Sequence, residues 1–295
     1  MTPIEGRNWV VKSHALGNDY LVVDPAALTF SLTPARIRHL CDRHFGAGSD
    51  GILALAPASR ADFGLRIYNP DGSEAEKSGN GLRIFAKFLY DHGYVTGPTF
   101  TVETPGGIAG IELHLAGGRI EQMTVDVGRA TFWSPEIPVA GPAREVVDEV
   151  IEAGDQRLEI TAVSVGNPHC VVFVPDLDLI NLRQLGPLLE THPLFPKRTN
   201  VQFAQPVARD RVKILIWERG AGETMASGTS ASAVAAAAVR EGVTDRRMTI
   251  SAPGGDLQIT VGEDWSIRLT GPASEVYTAT LSDDMVRTLA AMGEA

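Results

Sequence analysis

Two serines and the segments around them constrain this chain most. Ser78 lies in EAEKSGNGLRIFAKFLYDHG and Ser227 in ETMASGTSASAVAAAAVREG, 149 positions apart (227 − 78). Both segments read Glu, three residues, Ser-Gly, then a helical stretch closing on Gly. At the same offset Glu74 aligns with Glu223, Gly93 with Gly242, and Gly17-Asn18 with Gly166-Asn167. IYNPDGSE from Ile67 aligns with IWERGAGE from Ile216, and Gly51-Ile52 with Asn200-Val201. After the helices the offset slips by one: TVETPGG ends at Gly107 and TISAPGG at Gly255. A repeat this long is a duplicated domain rather than a solenoid unit.

Each half reads mostly as short strands. FTVETPGGIAGIELHLAGGRIEQMTVDVG is strand, turn, strand, turn, strand, with turns at Pro105-Gly106-Gly107 and Gly117-Gly118. TISAPGGDLQITVGEDWSIRLTG repeats that meander. Helices are few. Residues 33–44 predict one, with Thr33 as cap and Pro34 at the first helical position. Residues 79–92 and 228–241 predict two more, each just after a serine, and 176–191 and 282–293 are weaker candidates. The proline-rich stretch 128–147 reads as the connection between halves. The expected fold class is α+β: two pseudo-symmetric duplicated domains, each a mostly antiparallel β-sheet wrapped around a central helix. The expected domains are 1–127, joined by the C-terminal segment 272–295, and 128–271.

Composition excludes several classes. Hydrophobic residues at 44% supply a core, so disorder is not expected. The net charge of −10, without a Lys/Arg cluster, disfavours nucleic acid, whose binding rests on neutralising phosphates. No apolar run is long enough to span a bilayer and no signal-peptide pattern opens the chain, so no membrane partner is expected and a cytoplasmic location is the default. Cys41 and Cys170 have neither CxxC nor metal-ligand spacing and read as reduced thiols, one on a helix and one in a strand.

The chemistry gathers at the helix starts. A helix N-terminus presents unpaired N–H groups and partial positive charge, ready for a carboxylate or phosphate. Ser78-Gly79-Asn80-Gly81 and Ser227-Gly228-Thr229-Ser230 both lie at such starts. Singly, each serine reads as an ordinary N-cap. As a duplicated pair facing one cleft, they would grip one ligand from two sides, which suits inversion at a single carbon. Asn18, Asn69, Asn167 and Asn200 lie in short Gly- or Pro-flanked loops, where Asn is commonly a turn residue. Repeat symmetry sets Glu218 opposite Asn69 and Asn200 opposite Gly51, bringing them to equivalent rims of that cleft. Arg219 offers a fork for a carboxylate and Glu218 an acceptor for an ammonium. His169 is a candidate base or orienting group.

The motifs HALGNDYLVVD, RHFGAGSDGIL, NPDGSEAEKSGNGLR, GNPH, RTNVQF and WERGAGETMASGTSASA resemble those of diaminopimelate epimerase, in the same order, over residues 14 to 240. The resemblance implies a pyridoxal-independent, metal-free epimerase interconverting LL- and meso-diaminopimelate in lysine and peptidoglycan precursor synthesis. It implies a site between two domains, where one cysteine at each central helix start serves as base or acid. Those two cysteines fall on Ser78 and Ser227. The groups holding the α-carboxylate fall on Gly79, Asn80, Gly228 and Thr229. Those recognising the distal end fall on Asn69, Asn167, Asn200, Glu218 and Arg219, with Asn18 a further contact. His169 and Glu218 match polar neighbours of the reactive cysteines. Apart from the cysteines, each of these side chains has the identity the family pattern expects. Family members are often homodimers.

The departure falls on the catalytic pair. A free Cys titrates near about 8.5 and lower at a helix start, whereas a serine hydroxyl is far less acidic. Three explanations are open: a disabled form whose cysteines have been replaced, a natural serine variant using His169 or Glu218, or another reaction such as dehydration, or binding alone, on an amino-acid-like ligand. Lys77 and Ser230, which also depart from the commonest family wording, lean toward the natural variant.

Overall fold

The computed structural model describes residues 3–293. The chain divides into two compact units, one running to Val125 and resuming at Gly271, the other spanning Asp126–Thr270. The sheet-dominated α+β class expected from the sequence is what the chain adopts, with few helices.

The first unit opens with β1 (Trp9–Ala15) and β2 (Asn18–Val23), followed by α1 (Pro34–Cys41), β3 (Ile52–Ala56), β4 (Phe63–Tyr68) and the short β5 (Glu74–Ala75). Then come α2 (Gly79–Asp91), β6 (Thr99–Thr104), β7 (Gly107–Ala116) and β8 (Arg119–Arg129), which runs into the unit boundary. Strand pairing runs β1–β2–β3–β4–β6–β7–β8, parallel at β2–β3 and β4–β6 and antiparallel elsewhere, with β5 on β4.

The second unit holds β9 (Glu149–Ala153), β10 (Gln156–Ser164), β11 (Pro168–Phe173), α3 (Leu182–Glu190), β12 (Asn200–Ala208), β13 (Arg211–Glu218) and β14 (Gly222–Thr224). It continues with α4 (Gly228–Arg240), β15 (Arg247–Ala252), β16 (Gly255–Val261) and β17 (Ser266–Gly271). Its pairing is β9–β10–β11–β12–β13–β15–β16–β17, parallel again only at β11–β12 and β13–β15. From β10 onward this is the order of the first unit, strand for strand. The place that β9 takes beside β10 is taken beside β1 by β18 (Ser274–Thr280), antiparallel, which α5 (Asp283–Ala291) follows.

Each central helix is buried on nearly every side, α2 with Asn80 and Arg83 among its buried residues. The fillings differ. α2 uses Leu82, Ile84, Phe85, Phe88 and Leu89, with the Phe88 ring 6.0 Å from Trp9 of β1. α4 uses alanines at 231, 233 and 235–238, strong helix formers that let the strands approach closely. Cys41 and Cys170 are free and buried, on α1 and β11 as expected.

Two local expectations are corrected. Residues 128–147 are not a linker: Ile137, Val139 and Val146 are buried in the second unit's core, with bridges Thr131–Ser164 and Trp133–Glu145. The candidate helix 176–191 is split, with a 3-10 turn at Leu177–Leu179 and α3 starting afresh where the Asn181 side chain caps the Gln184 N–H. Among the described residues no helix is long and apolar enough to cross a membrane.

Candidate active site

The two helix starts share one backbone conformation. Ser78 has φ −143°, ψ 119° and Ser227 φ −143°, ψ 125°. Each is an N-cap whose hydroxyl accepts a backbone N–H three residues on, from Gly81 at 3.0 Å and from Ser230 at 3.4 Å. The capping reading and the ligand reading are compatible, because a hydroxyl oxygen that accepts one N–H keeps its own proton to donate. Ser227 is only 5% exposed, whereas Ser78 is half-buried.

What lies behind each serine differs. In the first unit a chain of side chains runs from a carboxylate to a cation. Asn18 donates to Asp50 at 3.0 Å, Asn80 donates to Asn18 at 3.1 Å, and Arg83 donates to Asn80 at 2.9 Å. The charges at the two ends fix both amides: an anion accepts only and a guanidinium donates only. Arg83 is fully buried and also donates to the Gly79 and Pro272 carbonyls, and burial lowers its pKa to about 9. Sequence reasoning missed Arg83 and Asp50. Asn69 stands apart from this chain on the turn after β4, its amide donating to the Ser73 hydroxyl at 3.0 Å.

In the second unit the chain behind the serine is neutral. His169 contacts Asn167 through Nε2 at 2.9 Å and Gln202 through Nδ1 at 3.3 Å, and Gln202 donates to Ser230 at 3.0 Å. Ser230 is the residue whose N–H the Ser227 hydroxyl caps. A neutral imidazole donates to only one of its two neighbours, so one of those amides must turn its NH2 toward the ring. The repeat sets different residue types at the equivalent positions. His169, Gln202 and Ser230 stand where the first unit has Tyr20, Leu53 and Gly81. At Gly51, an added Cβ would lie 2.8 Å from the Tyr20 ring and 2.3 Å from the Tyr68 carbonyl. The smaller imidazole at 169 is matched in the second unit by Asn200 at the Gly51 position.

Burial pushes the His169 pKa down to about 3, with contact to Gln202 opposing and Arg219 adding to the shift. So weak a base favours the orienting alternative over proton abstraction. The unfolded chain protonates this ring near about 6.5, but the native chain resists until about 3, so His169 removes stability as pH falls through that window. Its ring resonances are expected to stay at their neutral positions from about pH 5 to 8; movement with a midpoint near 6.5 in the folded chain would contradict the buried neutral ring.

Asn200, Glu218 and Arg219 meet at the end of β13. Asn200 is buried, its Oδ1 accepting the Arg219 N–H at 3.0 Å and its NH2 donating to the Pro168 carbonyl at 2.8 Å. Glu218 ends β13 opposite Gly222, and the exposed Arg219 side chain donates to the Lys197 carbonyl at 3.1 Å. Thr229 lies at the α4 start, its hydroxyl 3.4 Å from that of Ser227. Thus the structure joins Asn18 with Asn80, Asn167 with His169, and Asn200 with the Arg219 backbone. A buried carboxylate beneath this turn, Glu190, went unnoticed in the sequence.

Comparison with known proteins adds to this geometry. The family model described as diaminopimelate epimerase matches residues 10–133 and 161–276. The chain is 47% identical over 276 residues to diaminopimelate epimerase 2 of Nostoc sp. (strain PCC 7120 / SAG 25.82 / UTEX 2576), covering 93% of this chain and 95% of that protein. It is 46% identical over 269 residues to the diaminopimelate epimerase of Pelotomaculum thermopropionicum, covering 90% and 96%. Among solved structures, a probable proline racemase from Agrobacterium radiobacter K84 superposes with TM-score 0.70 at 18% identity over 94% of this chain and 95% of that one. A predicted epimerase from Pseudomonas aeruginosa superposes with TM-score 0.66 at 20% identity over 93% and 99%. At such identities these two structures speak for the fold alone.

Proposed function

Because the chain belongs to the diaminopimelate epimerase family, an isomerase family, we propose that it interconverts LL- and meso-diaminopimelate, a step of lysine biosynthesis. The reaction removes the α-proton on one face and returns a proton on the other, with neither pyridoxal nor metal. The observation that carries the reading is the pair of like-folded helix starts, each an N-cap serine followed by glycine with nearly the same backbone angles.

In this reading the α-carboxylate accepts hydrogen bonds from N–H groups around Gly79, Asn80, Gly228 and Thr229. As the α-proton leaves, negative charge spreads onto that carboxylate, where fixed donors and helix dipoles stabilise it most. Ser78 and Ser227 flank the α-carbon. One, as alkoxide, takes the proton and becomes a hydroxyl; the other gives its proton to the opposite face and becomes the alkoxide. Arg219 pairs with the distal carboxylate and Glu218 with the distal ammonium, while Asn69, Asn167 and Asn200 add amide contacts. Asn18 and Arg83 hold the Asn80 amide that borders the α-carboxylate site.

A second reading, substrate bound but scarcely turned over, is favoured by the serines themselves, because the alkoxide is rare at neutral pH. Incubation with LL-diaminopimelate in D2O separates the two. The epimerase reading expects deuterium at the α-carbon together with meso product. Binding without exchange would favour the second reading, and neither binding nor exchange would remove both.

A further inference from the structure

Among the described residues Glu190 is the only acidic side chain that is buried, at 7% exposure, and nothing in the mechanism above uses it. We propose that Glu190 is a positioning residue that sets substrate affinity by holding the Glu218–Arg219 turn from beneath. The inference rests on the functional reading above, in which that turn grips the distal end of the substrate.

Glu190 ends α3 and ties two segments together. Its Oε2 accepts the Trp217 indole N–H at 2.8 Å, and its Oε1 accepts the Gly220 N–H at 3.1 Å and the Arg198 guanidinium at 3.3 Å. Its backbone carbonyl accepts the Thr199 N–H at 3.2 Å. Trp217 and Gly220 bracket Glu218 and Arg219, while Arg198 and Thr199 lead into Asn200. Arg198 sits at φ 58°, a left-handed conformation that a non-glycine residue holds only where its surroundings impose it. The Trp217 ring is seated by Gly186 of α3, where an added Cβ would lie 2.5 Å from the indole. A carboxylate suits three converging donors because it accepts at both oxygens; a glutamine would turn an NH2 toward one of them.

The first unit shows that such a turn closes without this device. Cys41 stands at the repeat-equivalent position (190 − 149), and the turn after β4 is held by its own side chains and by Arg38 of α1, which donates to the Asp71 carbonyl at 3.1 Å, with no buried carboxylate beneath it among the described residues. There Asp71 accepts from the Ser73 N–H at 2.9 Å and from its hydroxyl at 2.6 Å. Burying a charge is costly unless it is well partnered. Its presence under only one of two equivalent turns points to a demand beyond turn closure.

The test uses Glu190→Gln and, in case that variant does not fold, Trp217→Phe, which removes one donor and keeps a ring. The readouts are KM and kcat for diaminopimelate and the hydrogen-exchange protection of the Gly220 amide. The expectation for Glu190→Gln is a KM about tenfold higher with kcat little changed, and Gly220 exchange about tenfold faster. Trp217→Phe should shift both in the same direction by less. A kcat loss at unchanged KM in an active chain overturns the proposal. A wild-type chain that neither binds nor exchanges diaminopimelate fails the functional reading instead; Gly220 protection unchanged in folded Glu190→Gln then overturns the clamp by itself.

Discussion

Changing Ser78 and Ser227 together to cysteine is expected to raise α-proton exchange on diaminopimelate by roughly 10²- to 10⁴-fold, the range that a well-matched acid/base group contributes. Inversion needs one deprotonated and one protonated group at the same moment. A thiol at a helix start reaches that mixture near neutral pH, because N–H groups and the dipole favour the thiolate. The hydroxyls here receive the same help, each accepting a helix N–H, yet start from a far higher pKa. The gain should need both changes, since a lone thiol leaves one face served by a hydroxyl, and effects of groups that act as a unit do not add. Against this stands the capping role: losing a serine cap costs about 1 kcal/mol of stability, so each variant's melting temperature should be read with its rate. A folded double variant that binds diaminopimelate and exchanges no faster than the parent would sink the assignment of these positions as proton-transfer sites.

Arg219→Ala is expected to raise KM for diaminopimelate by roughly 10- to 100-fold, equivalent to the loss of hydrogen bonds to a charged partner. Arg219→Lys should recover little, because a lysine carries the charge without the planar fork that meets a carboxylate at two points. The backbone at 219 should stay in place, held by Asn200 and by the bond from Gly220 to Glu190. Steady-state kinetics on an amino acid lacking the second amino-acid end provides the control. There the same substitution should change nothing, and an equal loss on both substrates would contradict distal recognition by Arg219.

Much of this architecture is legible in the repeat. Matching Ser78 with Ser227 and Gly51 with Asn200 already pairs β3 with β12 and α2 with α4, and the meanders read as three strands each. Periodicity and turn residues are local signals, and these elements carry them. The stretch 128–147 misled because prolines mark irregular backbone without saying whether it is buried, and Ile137 and Val146 lie in the core. The break before α3 is a contest between an apolar run and a capping Asn181, which pattern alone does not decide. The supports behind the helix starts were hidden for another reason. Arg83, Gln202 and Glu190 are single buried polar residues with no period, visible only through their partners. One signal was available: Glu190 aligns with Cys41 and Gln202 with Leu53, polar against apolar at equivalent places.

In the proposed mechanism the unlike backing of the two serines bears on the barriers in each direction, not on the equilibrium. Behind Ser78 the nearest amide leads to a buried guanidinium, while behind Ser227 a hydroxyl, an amide and an uncharged ring follow one another. Two serines so differently seated would not be interchangeable in that mechanism, however closely their main chains agree. Forward and reverse conversion would then cross barriers with separate hydrogen isotope signatures, as if a left and a right hand shared a skeleton but not a grip.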